Sequence, residues 1–233
     1  MISDLKGEAL DSLEGKWGLA VGATLLISIL LTTFSFSIEW VFSSIFDWKE
    51  TKNSISINII TFFVTGPLTL GGYYLALNIL REKQASIGNV FIWFSEGKRF
   101  LKSFLLYLLV NFYLFLWTLL FIIPGIIKSF SYAMTYFIIN DHPEYSINQA
   151  ITESRRMMDG HKMEYFILCL SFIGWFILSC ITLGIGFLWL IPYFYTTSAA
   201  FYEEIAEEYY EKKFQHYKVE HPTLMIRFIK PPV

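Results

Sequence analysis

Between Tyr165 and Tyr202 the chain carries no charged residue, and an apolar stretch of that length has few structures open to it. One crossing of a hydrocarbon core about 30 Å thick takes ~20 apolar residues at 1.5 Å each. The stretch therefore holds two crossings, with Leu183-Gly184-Ile185-Gly186 as the turn between them. Inside lipid every backbone N–H and C=O must find a partner within its own segment, so each crossing is a helix. Composition agrees: with 55% hydrophobic, 19% aromatic and 16% charged residues, the chain is too apolar for a soluble domain of its size.

The same arithmetic applies upstream. Trp17 to Ile38 and about Ile55 to Leu80 each read as one span. The first is longer than the ~7 to 15 residues of a secretory h-region and is followed by no small-residue cleavage site, so it reads as retained. The second contains Gly66-Pro67 and Gly71-Gly72, which lipid tolerates where helices pack closely. Ser103 to Ile139 is too long for one crossing and breaks at Pro124-Gly125. Its second half, Ile126 to Asn140, would rise only about 22 Å as a helix, so it must thin the bilayer, sit among other helices or re-enter. The fold class is all-α: a polytopic integral membrane helical bundle of about six transmembrane helices. Residues 1–205 form the transmembrane domain and residues 206–233 a cytosolic tail, with Glu208 and Lys212 at stabilising i,i+4 spacing.

Two amphipathic segments read as cytosolic interfacial helices. One is Ser86 to Phe100. The other runs from Asp141 to Lys162, where Ile147, Ala150, Ile151, Ser154 and Met158 share a face expected to lie on the membrane surface. With the N-terminus in the cytosol, fifteen of the 18 basic residues fall inside and only Lys49, Lys52 and Lys128 outside, as the positive-inside rule demands. If the short fourth helix failed to cross, most basic residues would face outward. Both termini are therefore expected in the cytosol.

Candidate chemistry is sparse. Lys128 is the one cation inside an apolar stretch; near the outer end of its helix it can snorkel to headgroups, as an anchor or as an anion site. Arg155, Arg156, His161 and Lys162 gather cations on one amphipathic segment, the geometry for contacting anionic headgroups or for a plain topology signal. Cys169 and Cys180 lie in apolar sequence without CxxC spacing, and the four histidines are scattered, so no metal or other cofactor is expected. Glu39 and Glu164 are isolated and no nucleophile, phosphate-loop or dinucleotide motif is present, which leaves an enzyme without support. Basic residues split among short juxtamembrane segments also speak against nucleic-acid binding.

LKGEALDSLEGKWGLAV, GPLTLGGYY, IIPGIIKSFSYAM, AITESRRMMDGHK and LSFIGWFILSCITLGIGFLWLIPYFYTTSAAFYEE follow one another along the chain. In that order they resemble a family of multipass bacterial membrane proteins, the domain of unknown function 975. The resemblance covers most of the chain, implies a bacterial plasma membrane and brings no established activity. An internal echo, Ile123-Pro124 before Ser129 and Ser131 against Ile191-Pro192 before Thr197 and Ala199, fits duplicated halves or chance. Two functional expectations follow. One is a non-enzymatic membrane-maintenance role whose partners are anionic membrane lipids or another membrane protein. The alternative is a transporter or lipid-translocating protein with its site among the Gly/Pro-interrupted helices.

Overall fold

The computed structural model describes residues 2–46 and 53–220, the side chains of 38–46, 53–60 and 216–220 excepted. The expected outer loop with Asp47, Lys49, Glu50 and Lys52, and the end of the tail, lie outside the described residues. Ten α-helices follow in order: α1 (Ile2–Leu13), α2 (Trp17–Phe46), α3 (Asn53–Leu80), α4 (Gly97–Leu120), α5 (Ile122–Tyr132), α6 (Thr135–Asp141), α7 (Ile147–Met157), α8 (Lys162–Leu170), α9 (Ile173–Ile181) and α10 (Phe187–Glu220). A 3-10 helix, Ile87–Phe94, stands between α3 and α4, and there is no strand among the described residues.

Among the described residues five stretches are long and apolar enough to cross a membrane: Trp17–Ser37, Thr61–Leu80, Gly97–Leu120, Ile122–Asp141 and Lys162–Ile181. The short fourth helix thus starts earlier than the sequence suggests and is built from α5 and α6, joined through Ala133 and Met134. The first half of α10, Phe187 to Tyr202, carries no charge but is less apolar than these. Thr196, Thr197 and Ser198 are buried in the bundle, and Thr196 and Thr197 donate back to the carbonyls of Pro192 and Tyr193, which satisfies hydroxyls that lipid would not. The helix then runs unbroken through Ala206 to Glu220.

The core lies where α3, α6 and α10 meet, with Leu70, Leu77, Phe137, Ile138, Phe201 and Tyr202 all below 2% exposed. Leu5, Ala9 and Leu13 of α1 and Val90 and Trp93 of the 3-10 helix close it. Tyr73 stacks on Tyr195 at 4.6 Å and on Tyr136 at 5.2 Å between ring centres, so aromatic faces rather than aliphatic knobs join α3, α6 and α10. Large apolar side chains from Leu119 to Ile123 and from Ile173 to Ile185 stay exposed, as expected where lipid is the solvent.

One ionic clamp ties the three helices at their charged ends. The Arg81 guanidinium takes both Asp141 carboxylate oxygens at 2.6 Å and Glu203 at 2.5 Å, while the Tyr202 hydroxyl donates to Asp141 at 2.9 Å. A planar fork matched to a carboxylate has the geometry that offsets the cost of burying charge.

Both presumed surface helices pack on protein. The 3-10 helix lies against α3 so closely that a Cβ on Gly71 would stand 2.0 Å from the Val90 carbonyl oxygen. Trp93 Nε1 also donates to Asn140, whose amide donates to the Leu70 carbonyl. The apolar face of α7 meets the bundle rather than lipid: Ala150, Ile151, Ser154 and Met157 are buried, and Ser154 Oγ donates to the Ser131 carbonyl of α5 at 2.9 Å. A periodic face shows that something apolar covers it, and here the cover is helix. Replacing Gly71 by Ala forces this contact apart, at a cost of about 1–3 kcal/mol. Gly18→Ala, where a Cβ meets nothing within 4 Å, is the control. Unfolding of the purified protein by dodecyl sulfate in mixed micelles, followed by circular dichroism, should show the first change destabilising and the second not; equal midpoints would contradict the close contact.

A candidate anion-binding face

Helix α7 starts cleanly because Ser146 and Gln149 cap each other, Ser146 Oγ accepting from the Gln149 N–H and Gln149 Oε1 from the Ser146 N–H. It ends at Met157, and Gly160, with a φ of 95°, turns the chain into α8 in a conformation that side chains resist. With the apolar side buried, Arg155 and Arg156 project from the opposite, exposed side. Arg156 pairs with Glu153 at 3.3 Å. His161 sits between Glu164 at 2.9 Å and Glu208 at 3.7 Å, and Lys162 meets the exposed Asp159 at 3.2 Å. Lys128, half-buried on α5, places its ammonium 4.6 Å above the Trp117 ring of α4.

Lys128 lies within electrostatic reach of Arg155 and Lys162. The chain reverses between Asp141 and Ile147, so that α7 runs back along α5 as far as Ser131, and this brings its cations toward Lys128. Among the described residues no carboxylate pairs with Lys128 or Arg155. Of the five expected contacts Lys128, Arg155 and Lys162 lie near one another, whereas Arg156, His161 and, through Asp159, Lys162 have acids of their own.

The acids were missed by sequence reasoning. Glu153 accepts from the Tyr209 hydroxyl at 2.6 Å and from Lys213 at 3.2 Å, which docks the far half of α10 on α7. Burial alone would raise the Glu153 carboxyl, but those hydrogen bonds and the charges of Lys213 and Arg156 outweigh it and hold it below the ordinary carboxylate value. The available sequence signal was small: Tyr209-Tyr210 on a charged helix marks an amphipathic face that wants a partner.

Two hollows flank α10. A groove of about 510 Å³ is lined by Phe130, Phe166, Cys169, Leu170, Phe172, Ile173, Phe176, Phe187, Leu190, Ile191, Phe194 and Tyr195. A cavity of about 230 Å³ lies among α2, α3 and α10, where Gly72, Pro192, Tyr195 and Thr196 face Ala23 and Thr24. Gly66-Pro67 and Pro124-Gly125 do not line it: Gly66 packs on Phe104 and Tyr107, and Gly125 on Thr118. No three His, Cys, Asp or Glu side chains converge as a metal would need, among the described residues.

Apolar spanning helices around a clamped core, with a cationic face beside an aromatic groove, define an all-α membrane protein. More particularly, the chain belongs to the family described as "Protein of unknown function (DUF975)", matching it over residues 1–128 and 119–209. Comparison with curated proteins and with solved structures gives no match.

Because the Glu153 carboxyl is depressed in the folded protein, its contribution to docking α10 is complete above the unfolded carboxylate value. That contribution is lost as pH falls through the lowered value. Glu153→Gln should therefore lower hydrogen-exchange protection across Glu207 to Lys213 by about tenfold at neutral pH, since charged hydrogen bonds contribute about 1.5 kcal/mol or more. The gap between variant and parent should close in acid. Equal protection at neutral pH would remove Glu153 as the docking anchor.

Proposed function

We propose that the protein is a non-enzymatic component of a bacterial plasma membrane that holds an anionic lipid headgroup at Lys128, Arg155 and Lys162, in the service of membrane or envelope maintenance. It crosses the bilayer six times, the first half of α10 being the sixth, with both termini in the cytosol. Fifteen of the 18 basic residues then face the cytosol, which supports that orientation. The reading is carried by geometry: α7 lies along α5 through Ser154 and Ser131, which brings Arg155 within electrostatic reach of Lys128, and neither cation has an acidic partner among the described residues. Like charges in a half-buried setting repel, and an anion placed among them turns that repulsion into attraction. An anionic headgroup is the anion a membrane supplies at that position.

A second reading, movement of a lipid or apolar solute, draws support from the cavity beside Pro192 and Gly72, which shares Ile191 and Tyr195 with the groove. Liposomes carrying the purified protein that move no labelled lipid would leave it unsupported.

The headgroup reading is tested by changing Lys128, Arg155 and Lys162 together to Gln. At about 1 kcal/mol per cation near an anionic surface, the variant should retain phosphatidylglycerol roughly a hundredfold less well in native mass spectrometry. Phosphatidylcholine retention should be unaltered, and Arg156→Gln should matter less because Glu153 already holds that side chain. Undiminished preference for phosphatidylglycerol in the triple variant would sink the reading.

A further inference from the structure

The groove and the cationic face adjoin. Phe130 of α5 lies 5.8 Å from Phe166 of α8, ring centre to ring centre, and the two form one end of the groove. Lys162 lies one helical turn before Phe166 on the same side of α8, and Lys128, which faces Trp117 of α4, stands within electrostatic reach of Lys162. The other end is formed by Phe176 against Phe187 at 5.5 Å. From Phe166 to Phe176 the walls extend roughly 15 Å at helical rise, and no lining residue carries a charge.

The break between α8 and α9 gives the groove its depth and is itself held. Lys6 of α1 donates to the Ser171 carbonyl at 3.0 Å and covers the Phe172 ring at 4.1 Å. Phe172 in turn packs edge-on to Tyr193 and Phe194 of α10. A carbonyl freed by a helix break needs such a donor, and the wedge of Phe172 keeps α8 and α10 apart. The groove is therefore built into the fold and not left by one loose side chain.

Its occupant follows from the medium. Water has almost no polar group to bond along these walls, and an empty groove forfeits the dispersion contacts of every ring that lines it. Its volume is that of a ligand pocket, within the ~300 to 1,000 Å³ usual for such sites. In a bilayer the material at hand is acyl chain. Yet hydrocarbon gains no hydrophobic free energy by moving from lipid onto apolar helices, so a chain is retained only if something else holds its molecule. The three cations at the Phe130–Phe166 end are that holder. We infer that the groove is the acyl-chain half of a single-lipid site, and that Lys128, Arg155 and Lys162 grip the phosphate of the same anionic phospholipid. This rests on the headgroup reading above and adds to it a bound, oriented lipid in place of surface adsorption.

The test uses the full-length protein in nanodiscs containing phosphatidylglycerol or phosphatidylcholine that carries a photoreactive diazirine in the acyl chain. The phosphatidylglycerol probe should label the peptides spanning Phe166–Phe176 and Phe187–Phe194 at least tenfold more than the phosphatidylcholine probe. Changing Lys128, Arg155 and Lys162 to Gln should bring the two probes level. Filling the groove by Ile173→Trp, at a side chain already 55% exposed and hence free of core packing, should abolish groove labelling by phosphatidylglycerol. Labelling of α2 and α4 as strong as that of the groove, or groove labelling unaltered by Ile173→Trp, overturns the inference. In that event retention measured by native mass spectrometry still decides the headgroup reading by itself. A copurifying protein that shields the groove from both probes would likewise overturn it, by showing that a partner occupies the walls.

Discussion

The grip of Arg81 on Asp141, Glu203 and, through Asp141, Tyr202 sets the register of the three helices that carry the core. Arg81 ends α3, Asp141 ends α6 and Glu203 lies midway along α10, so one side chain closes contacts that are far apart in sequence. Asp141 is only 11% exposed and Arg81 22%. A pair this far from water holds only with near-ideal geometry, and a displaced partner would leave a buried charge uncompensated. The packing of α1, α7 and the 3-10 helix on this core presupposes that α3, α6 and α10 are already in place.

Around the clamp the protein divides its surface by solvent. Helix ends that meet water carry paired charges, as in Glu153 with Lys213 and Arg156, whereas the tips near Phe121 and Leu183 are bare apolar side chains. The cationic face departs from that pattern. Lys128 rests on an aromatic ring instead of an acid, and Glu153, the one acid of α7, pairs with Arg156 and Lys213 and not with Arg155. Groups left without a partner in an otherwise well-paired structure are where a ligand is most economically accommodated, and the charge-free groove beside them gives that ligand a shape.

Much of the architecture was legible in the chain. The apolar helices near Trp17, Ile55 and Ser103 and the turn at Leu183-Gly184 follow from the length of apolar runs, because lipid leaves the backbone no alternative to helix; the break expected at Pro124-Gly125 falls instead at Phe121, and the Pro-Gly pair sits in the first turn of α5. Less legible was what each amphipathic face meets. Ile151 and Ser154 mark a buried face on α7, but periodicity reports only that the cover is apolar and is silent on whether it is lipid or helix. Nor was the nearness of α7 to Lys128 legible: hydropathy orders residues along one span, and the fold-back of α7 along α5 is a relation between spans.

The amino-acid sequence by itself determined that this is an all-helical membrane protein of a particular family, since hydrophobic length, charge placement and motif order are local properties. Only the tertiary structure decided which charges stand together. Arg81 and Asp141 read alike as span ends until three helices converge on them. Arg155 and Lys162 come near Lys128 only because the chain reverses between Asp141 and Ile147 and α7 returns along α5. Electrostatic and dispersion forces act over a few ångströms of space, and separation along the chain does not predict that distance.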